Sequence, residues 1–200
     1  MLKTKIAVFV SGGGTNLQAL IDSCVIKSGE IVLVVSNNEN AYALTRAEKA
    51  GIKTAVVKKK GIEQSVFEQE LVKVLEENDI ELIILAGFMC ILSADFTSRY
   101  PKRIINVHPS LIPSFCGKGF YGLHVHEAAL EYGVKVTGAT VHFVNEIPDG
   151  GEIILQKAVE IQPDDTPETL QRRVMEQAEW NLLPEAAEIV SAQIAREKGE

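Results

Sequence analysis

The chain has 200 residues, of which 46% are hydrophobic and 24% charged, and its formal net charge is −7. This length fits one domain, or one domain with a small appendage, and it allows a substantial core. The negative charge argues against a nucleic-acid surface and favours a solvated loop for the basic run Lys58–Lys60. No apolar run reaches the roughly 18 residues of a membrane span.

The cysteines and the first residues indicate the compartment. Cys24, Cys90 and Cys116 are far apart and form no Cys-x-x-Cys motif, so we expect reduced thiols. The first apolar run is too short for a secretory signal, and the protein is expected to be cytoplasmic. A nucleophilic Cys116, in a glycine-flanked loop beside Lys118, is the less favoured alternative.

The first predicted elements are a strand, a glycine loop and a helix. Lys5–Val10 is a β-prone run, and Ser11–Asn16 (Ser-Gly-Gly-Gly-Thr-Asn) interrupts it before apolar residues recur at helical spacing. This order of elements directs free backbone N–H groups at an anion. Thr15 or Asn16 is the expected N-cap, and either could also donate to a phosphate.

The sequence around the glycine loop limits which kind of anion the loop could bind. No Gly-Lys-Ser/Thr follows, and the dinucleotide pattern Gly-x-Gly-x-x-Gly fails at Leu17. The next predicted strand, Glu30–Val35, has no carboxylate at its tip for a ribose diol. A single phosphate is therefore favoured over ATP or NAD, and a tight turn without a ligand is the alternative.

Strands and helices then alternate, which predicts an α/β fold with a doubly wound, mostly parallel sheet flanked by helices. The predicted elements here are helix Ala41–Ala50, strand Lys53–Val57, helix Gln64–Asn78 and strand Glu81–Ala86. The loop Gly87–Leu92 is apolar where a polar loop would be usual. It is either a satellite of the core or the wall of a slot for a flat organic ligand.

Ile104–His108 is the most informative stretch. Alternation along a strand places Asn106 and His108 on the same side, and Pro109 must end the strand near His108. In open α/β sheets ligands bind at the carboxyl ends of strands, so this pair is a candidate site. A solvated strand end is the alternative interpretation.

The segment after this strand contains a long loop and a pair of histidines. Leu111–Gly122 is rich in proline, glycine and aromatic residues, which indicates a functional loop or a mobile flap. His124 and His126 open a helix that runs to Gly133. Positions i and i+2 of a helix diverge by about 200° and no ligand cluster accompanies them, so we expect capping and packing roles and no metal.

The C-terminal half predicts an antiparallel strand pair and a long helix. Strands Lys135–Val144 and Glu152–Ile161 flank a turn in which Asp149 precedes two glycines, so Asp149 is a turn aspartate or a site residue. A final helix should begin at Asp165 or Thr166, with Pro167 next, and run to about Arg196. Pro184 should break or kink it.

Four segments resemble the phosphoribosylglycinamide formyltransferase family, a member of the folate-dependent formyltransferases. They are Ser-Gly-Gly-Gly-Thr-Asn-Leu-Gln (11–18), Leu-Ala-Gly-Phe-Met-Cys-Ile-Leu (85–92), Asn-Val-His-Pro-Ser-Leu-Ile-Pro (106–113) and His-Phe-Val-Asn-Glu-Ile-Pro-Asp-Gly-Gly (142–151). The resemblance covers nearly the whole chain and implies a single formyltransferase domain over residues 1–200. It implies 10-formyltetrahydrofolate as co-substrate and donor, the glycine amine of N1-(5-phosphoribosyl)glycinamide as acceptor, and no metal.

The resemblance also assigns roles to residues. It implies that Asn106, His108 and Asp149 are catalytic and that Glu179 holds the substrate amine. The implied ribonucleotide phosphate site consists of Gly13, Gly14, Thr15 and Asn16. The implied folate pocket consists of Met89, Cys90, Ile91, Leu92, Asn106, Asn145, Glu146, Ile147, Pro148 and Asp149.

These residue types suit formyl transfer. Attack of an amine on a formamide puts negative charge on the formyl oxygen, to which Asn106 and a protonated His108 can donate. An ionised Asp149 is expected to raise the pKa of His108, so that imidazolium is favoured near neutral pH, and to accept the amine proton through a water. Cys90 stands where the resemblance leads us to expect arginine, and Gln64 lies near a second position where a basic residue is expected.

Three other functions are less well supported. A formyltetrahydrofolate hydrolase would use the same trio, but its family carries an additional N-terminal domain. A methionyl-tRNA formyltransferase would need a further C-terminal domain and a basic surface. A non-catalytic phosphometabolite-binding module explains the glycine loop but not the trio. The expected partners are small molecules, and the sequence is compatible with both a monomer and a homodimer.

Overall fold

The computed structural model of the protein describes residues 3–199, and its seven strands form one sheet. The sheet order is β3-β2-β1-β4-β5-β6-β7. The first five strands pair in parallel, whereas β5–β6 and β6–β7 are antiparallel, which confirms the predicted fold class. The strands are β1 Thr4–Val10, β2 Gly29–Ser36, β3 Lys53–Val56, β4 Leu82–Leu85, β5 Ile104–His108, β6 Val136–Phe143 and β7 Ile153–Glu160.

Helices connect the strands, and the predicted ones lie within a few residues of their expected bounds. The helices are α1 Thr15–Asp22, α2 Tyr42–Lys49, α3 Gln64–Glu76, α4 Ala94–Arg99, α5 Leu123–Tyr132, α6 Pro167–Val174 and α7 Trp180–Glu197. Helix α4 was not predicted; it is short, and its N-cap Ser93 accepts a hydrogen bond from the Phe96 amide. Within residues 3–199, no helix combines the length and apolarity needed to span a membrane.

The parallel strands are buried on both faces. Along β1, Ile6, Val8 and Val10 pack into one core, and Ala7 and Phe9 pack into the other. Such two-sided burial explains why these strands are continuous apolar runs. Because β1, β4 and β5 are parallel neighbours, the loops that follow them meet at one edge of the sheet.

The last helical segment starts as predicted. Thr166 is the N-cap of α6 and forms a capping box with Thr169, and Pro167 is the first helical residue. The side chain of Asp165 instead pairs with Arg173, which lowers the Asp165 pKa to about 2.

Pro184 was expected to break or kink the last helix, and α7 continues through it without a break. The irregularity lies earlier, in a π-helical turn over Met175–Glu179. There the side-chain amide of Asn181 donates to the carbonyls of Glu176 and Gln177, at 3.2 and 3.3 Å. A π turn inserts an extra residue into a helix and is frequent at functional sites.

Gly138 on β6 allows β7 and the loop after β5 to pack closely. A Cβ atom at this position would overlap the carbonyl oxygen of Lys157 and lie 2.9 Å from Leu111 Cδ2. We expect Gly138→Ala to destabilise the protein by about 1–3 kcal/mol through overpacking, measured as a lower midpoint in urea unfolding. Val136→Thr, at an exposed position of the same strand, is the matched control, and an equal loss in both variants would contradict this explanation.

Candidate active site

The end of β5 places the predicted pair Asn106 and His108 beside β6. Asn106 pairs with His142 across the strands, and its Nδ2 atom lies 3.2 Å from His142 Nε2. His142 Nδ1 lies 2.8 Å from the carbonyl oxygen of Phe143. Nδ1–H therefore donates to that carbonyl in the neutral ring, and Nε2 accepts from Asn106. His142 is a site residue that the sequence did not predict.

Asp149 joins these side chains from the turn between β6 and β7. Its Oδ2 atom lies 3.5 Å from His108 Nδ1, and its Oδ1 atom lies 3.6 Å from His142 Nε2. The Gly117 amide donates to Oδ2 at 2.8 Å. The backbone of Asp149 is left-handed, with φ of 56°. The structure thus brings the predicted trio of Asn106, His108 and Asp149 together.

The loop Leu111–Gly122 is attached to this trio at two points. Besides the Gly117 contact, His108 Nε2 lies 2.8 Å from the carbonyl oxygen of Phe115, so Nε2–H donates to the loop. Both contacts use backbone groups of the loop, which its residue types do not reveal. Cys116 in the same loop donates to the Pro113 carbonyl, and burial raises the pKa of its thiol, which does not favour a nucleophilic Cys116.

The pKa of His108 is lowered, contrary to the expectation from sequence. Burial of the ring disfavours the imidazolium and outweighs the charge of Asp149 and the Phe115 carbonyl, both of which act to raise the pKa. For Asp149, burial acts to raise the pKa. The neighbouring His142 and His108 side chains and the Gly117 amide together outweigh burial and lower it. The site therefore holds a carboxylate beside a predominantly neutral imidazole near pH 7.

The glycine loop connects β1 to α1, and its N-cap differs from the prediction. The N-cap is Gly14, in the left-handed region with φ of 72°, and no side chain caps the first turn. A Cβ atom on Gly14 would lie 2.6 Å from Ala43 Cβ, so only glycine fits there. The predicted cap by Thr15 or Asn16 is therefore wrong, and the side chains of both are directed elsewhere.

Asn16 reaches the π turn on the other side of the site. Its Nδ2 atom donates to Glu179 Oε2 at 2.8 Å, and its Oδ1 atom is buried without a partner among the described residues. Glu179 is only 6% exposed. Burial raises its pKa to about 7, although the Asn16 hydrogen bond opposes the shift. The Thr15 hydroxyl contacts Met175 Sδ at 3.9 Å.

A small open slot of about 140 Å³ lies next to Asn106. Most of the predicted folate pocket lines it, but Met89, which is 57% exposed, does not. The lining residues are Leu85, Phe88, Cys90, Ile91, Leu92, Asn106, His142, Val144, Asn145, Glu146, Ile147, Pro148 and Asp149.

Hydrogen bonds hold Cys90 and Gln64, which lie at or near the positions where basic residues were expected. Asn37 Nδ2 donates to Cys90 Sγ at 3.0 Å, and burial raises the pKa of the Cys90 thiol. Gln64 Nε2 donates to Glu68 and to the Ile91 carbonyl, at 2.5 and 3.1 Å. Gln64 therefore tethers one wall of the slot to α3.

The two helical histidines lie apart from any cluster of metal ligands. His124 Nδ1 pairs with Glu127 at 2.8 Å. His126 is fully buried and neither ring nitrogen has a partner among the described residues, and burial lowers its pKa to about 4. Residues 3–199 contain no group of three or more His, Cys, Asp or Glu side chains arranged to hold a metal.

Comparison with known proteins identifies related chains. Residues 4–187 match the formyl transferase family. Phosphoribosylglycinamide formyltransferase of Haemophilus influenzae is 42% identical over 185 residues, which cover 90% of this chain and 84% of that protein. The trifunctional purine biosynthetic protein adenosine-3 of Gallus gallus is 48% identical over 193 residues, but the chain spans only 19% of its length.

Solved structures agree with this relationship. Phosphoribosylglycinamide formyltransferase from Coxiella burnetii superimposes with a TM-score of 0.87 at 40% identity, covering 96% of this chain and 89% of that one. Glycinamide ribonucleotide transformylase 1 from Symbiobacterium toebii superimposes with a TM-score of 0.88 at 38% identity, with the same coverage. The chain therefore belongs to the formyl transferase family.

Proposed function

We propose that the protein transfers the formyl group of 10-formyltetrahydrofolate to the glycine amine of N1-(5-phosphoribosyl)glycinamide, a step of de novo purine biosynthesis. Two bacterial relatives named phosphoribosylglycinamide formyltransferase, 42% and 39% identical over most of both chains, support this proposal. In it, residues 1–200 form a single formyltransferase domain that acts on small molecules in the cytoplasm.

The observation that carries the proposal is the arrangement of two sites on one edge of the sheet. The glycine loop follows β1 and the catalytic trio surrounds the end of β5, with only β4 between them. Neighbouring strands lie about 4.8 Å apart, so the two sites are separated by roughly 10 Å. This separation suits an acceptor with a phosphate at one end and a nucleophilic amine at the other.

The trio can perform each proton and charge movement of the proposed reaction. The amine nitrogen attacks the formyl carbon, and the carbonyl electrons move onto oxygen. Asn106 has a second amide N–H for this oxyanion, and His108 can donate Nε2–H once that group leaves the Phe115 carbonyl. Asp149 accepts the proton of the amine and returns a proton to N10 of the folate, as the carbonyl re-forms and the bond between the formyl carbon and N10 breaks.

The other site residues hold the two substrates in this proposal. The Glu179 carboxylate, together with the unpartnered Oδ1 of Asn16, accepts N–H groups of the substrate amine. The amides of Gly13, Gly14, Thr15 and Asn16 surround the phosphate. The slot beside Asn106 takes the pterin, since its volume suits one end of an extended folate rather than the whole molecule.

Ultraviolet absorbance tests the function directly. When the protein is mixed with 10-formyltetrahydrofolate, we expect loss of the formyl donor only after N1-(5-phosphoribosyl)glycinamide is added. Loss of the donor without the ribonucleotide would indicate a hydrolase. No loss under either condition would leave a binding protein without this activity.

Asp149→Asn should lower kcat by about 100-fold or more while the protein stays folded. The amide cannot accept the amine proton as a carboxylate does, whereas asparagine tolerates the left-handed backbone at this position. Asp79→Asn is the matched control, because Asp79 also has a positive φ, of 51°, but pairs with Lys5 at the surface. Intact turnover in Asp149→Asn with an unchanged melting curve would remove Asp149 from the mechanism.

Glu179→Gln should stabilise the folded protein at high pH but weaken binding of the ribonucleotide. The Glu179 pKa is raised to about 7 from an ordinary 4.5, so the native state binds this proton more tightly than the unfolded state. The wild-type protein therefore loses stability as pH rises from about 4.5 to 7, by up to about 3 kcal/mol. Glutamine removes this loss, and the variant should be more stable than wild type at pH 8 and about equal at pH 4.

The same substitution should raise KM for the ribonucleotide at least about tenfold. In the wild-type protein, this KM should increase as pH falls below about 7, because Glu179 becomes protonated. Glu188→Gln, on helix α7 just after the π turn, is the control, since Glu188 accepts from the amides of Lys27 and Ser28 and its pKa is lowered. This control should lose stability at pH 8 and keep its KM, and the reverse pattern would refute the assignment.

A further inference from the structure

Helix α2 contacts the glycine loop on one side and fixes its carbonyl groups. The Ala43 amide donates to the Gly12 carbonyl at 3.0 Å, and Arg46 Nε donates to the Gly13 carbonyl at 2.8 Å. The contact is close, because a Cβ atom on Gly14 would lie 2.6 Å from Ala43 Cβ and 3.4 Å from Arg46 Cδ. Two consecutive carbonyls of the loop are thus bound by one helix.

These contacts determine where the loop amides point. In a trans peptide the carbonyl and the following N–H point in opposite directions. The Gly12 and Gly13 carbonyls face α2, so the N–H groups of Gly13 and Gly14 face away from it. Within residues 3–199, neither N–H has a protein acceptor, and no side chain caps the first turn of α1. Successive free N–H groups of this kind form an anion-binding concavity.

Arg46 is held so that its guanidinium stays against the loop. Besides the Gly13 contact, its Nη1 atom donates to Gln18 Oε1 on α1 at 3.0 Å. The guanidinium also lies 5.0 Å from the centre of the Tyr42 ring. A planar guanidinium can make these contacts simultaneously, whereas a lysine ammonium cannot reproduce their fork-like geometry.

We propose that Arg46 is a positioning residue for the phosphate of the acceptor. It orients the Gly13–Gly14 peptide so that the free N–H groups face the anion, and it places a positive charge behind them in a protein of net charge −7. The inference rests on the proposed ribonucleotide site and assigns its phosphate selectivity to a side chain outside the glycine loop. Arg46 itself binds the loop rather than the reacting atoms.

The test compares acceptors with and without the phosphate. Arg46→Gln should lower kcat/KM for N1-(5-phosphoribosyl)glycinamide by roughly 10- to 100-fold and leave kcat/KM for the ribosyl analogue and KM for 10-formyltetrahydrofolate unchanged. Arg46→Lys, which keeps the charge but not the fork, should recover only a small part of this loss. Lys49→Gln, an exposed position on the same helix, is the control and should match wild type.

Several outcomes would overturn the inference. Equal losses for both acceptors would indicate a general structural role, and full recovery in Arg46→Lys would show that charge alone matters. Binding of inorganic phosphate, followed by calorimetry, provides a readout that does not depend on catalysis. If no variant transfers formyl groups but Arg46→Gln weakens phosphate binding at least tenfold, the proposed function fails and the role of Arg46 stands. Unchanged phosphate affinity would reject that role.

Discussion

The Asp149 carboxylate is the contact on which the arrangement of the candidate site depends. It touches His108 on β5, His142 on β6 and the Gly117 amide in the long loop, so three segments meet at one charge. Its left-handed backbone and the antiparallel β6–β7 pair bring it back over the end of β5. This carboxylate is therefore the partner that the two imidazoles and the loop amide share.

Much of this arrangement could be predicted from residue types along the chain. Asn106 and His108 alternate on a strand that Pro109 must end, and parallel neighbours carry their loops to the same edge. The glycine loop was recognisable because glycines interrupt an apolar strand before a helical period. The order of neighbouring residues in the sequence is sufficient for such inferences, since each depends on residues within about ten positions of one another.

Other features of the site depend on three-dimensional contacts and on burial, which the local order of residues in the sequence does not reveal. Asn16 and Glu179 are 163 residues apart in the sequence, yet Asn16 donates to Glu179 at the end of the π turn. The Phe115 carbonyl binds His108 through a backbone group that every residue possesses. The pKa of His108 was predicted with the wrong sign, because a nearby carboxylate is visible in the sequence whereas the depth of burial is not.

The two carboxylates of the site are shifted in opposite directions, and this difference suits the proposed reaction. Asp149 has a lowered pKa and stays ionised near its imidazole partners, whereas the Glu179 pKa is about 7. An amine binds from water largely as ammonium, which cannot attack a formyl carbon. A buried carboxylate with a pKa near 7 accepts an ammonium proton more readily than an ordinary carboxylate, because the two pKa values are closer. Burial of Glu179 therefore destabilises the folded protein at high pH and, in the proposed reaction, helps to deliver a neutral nucleophile.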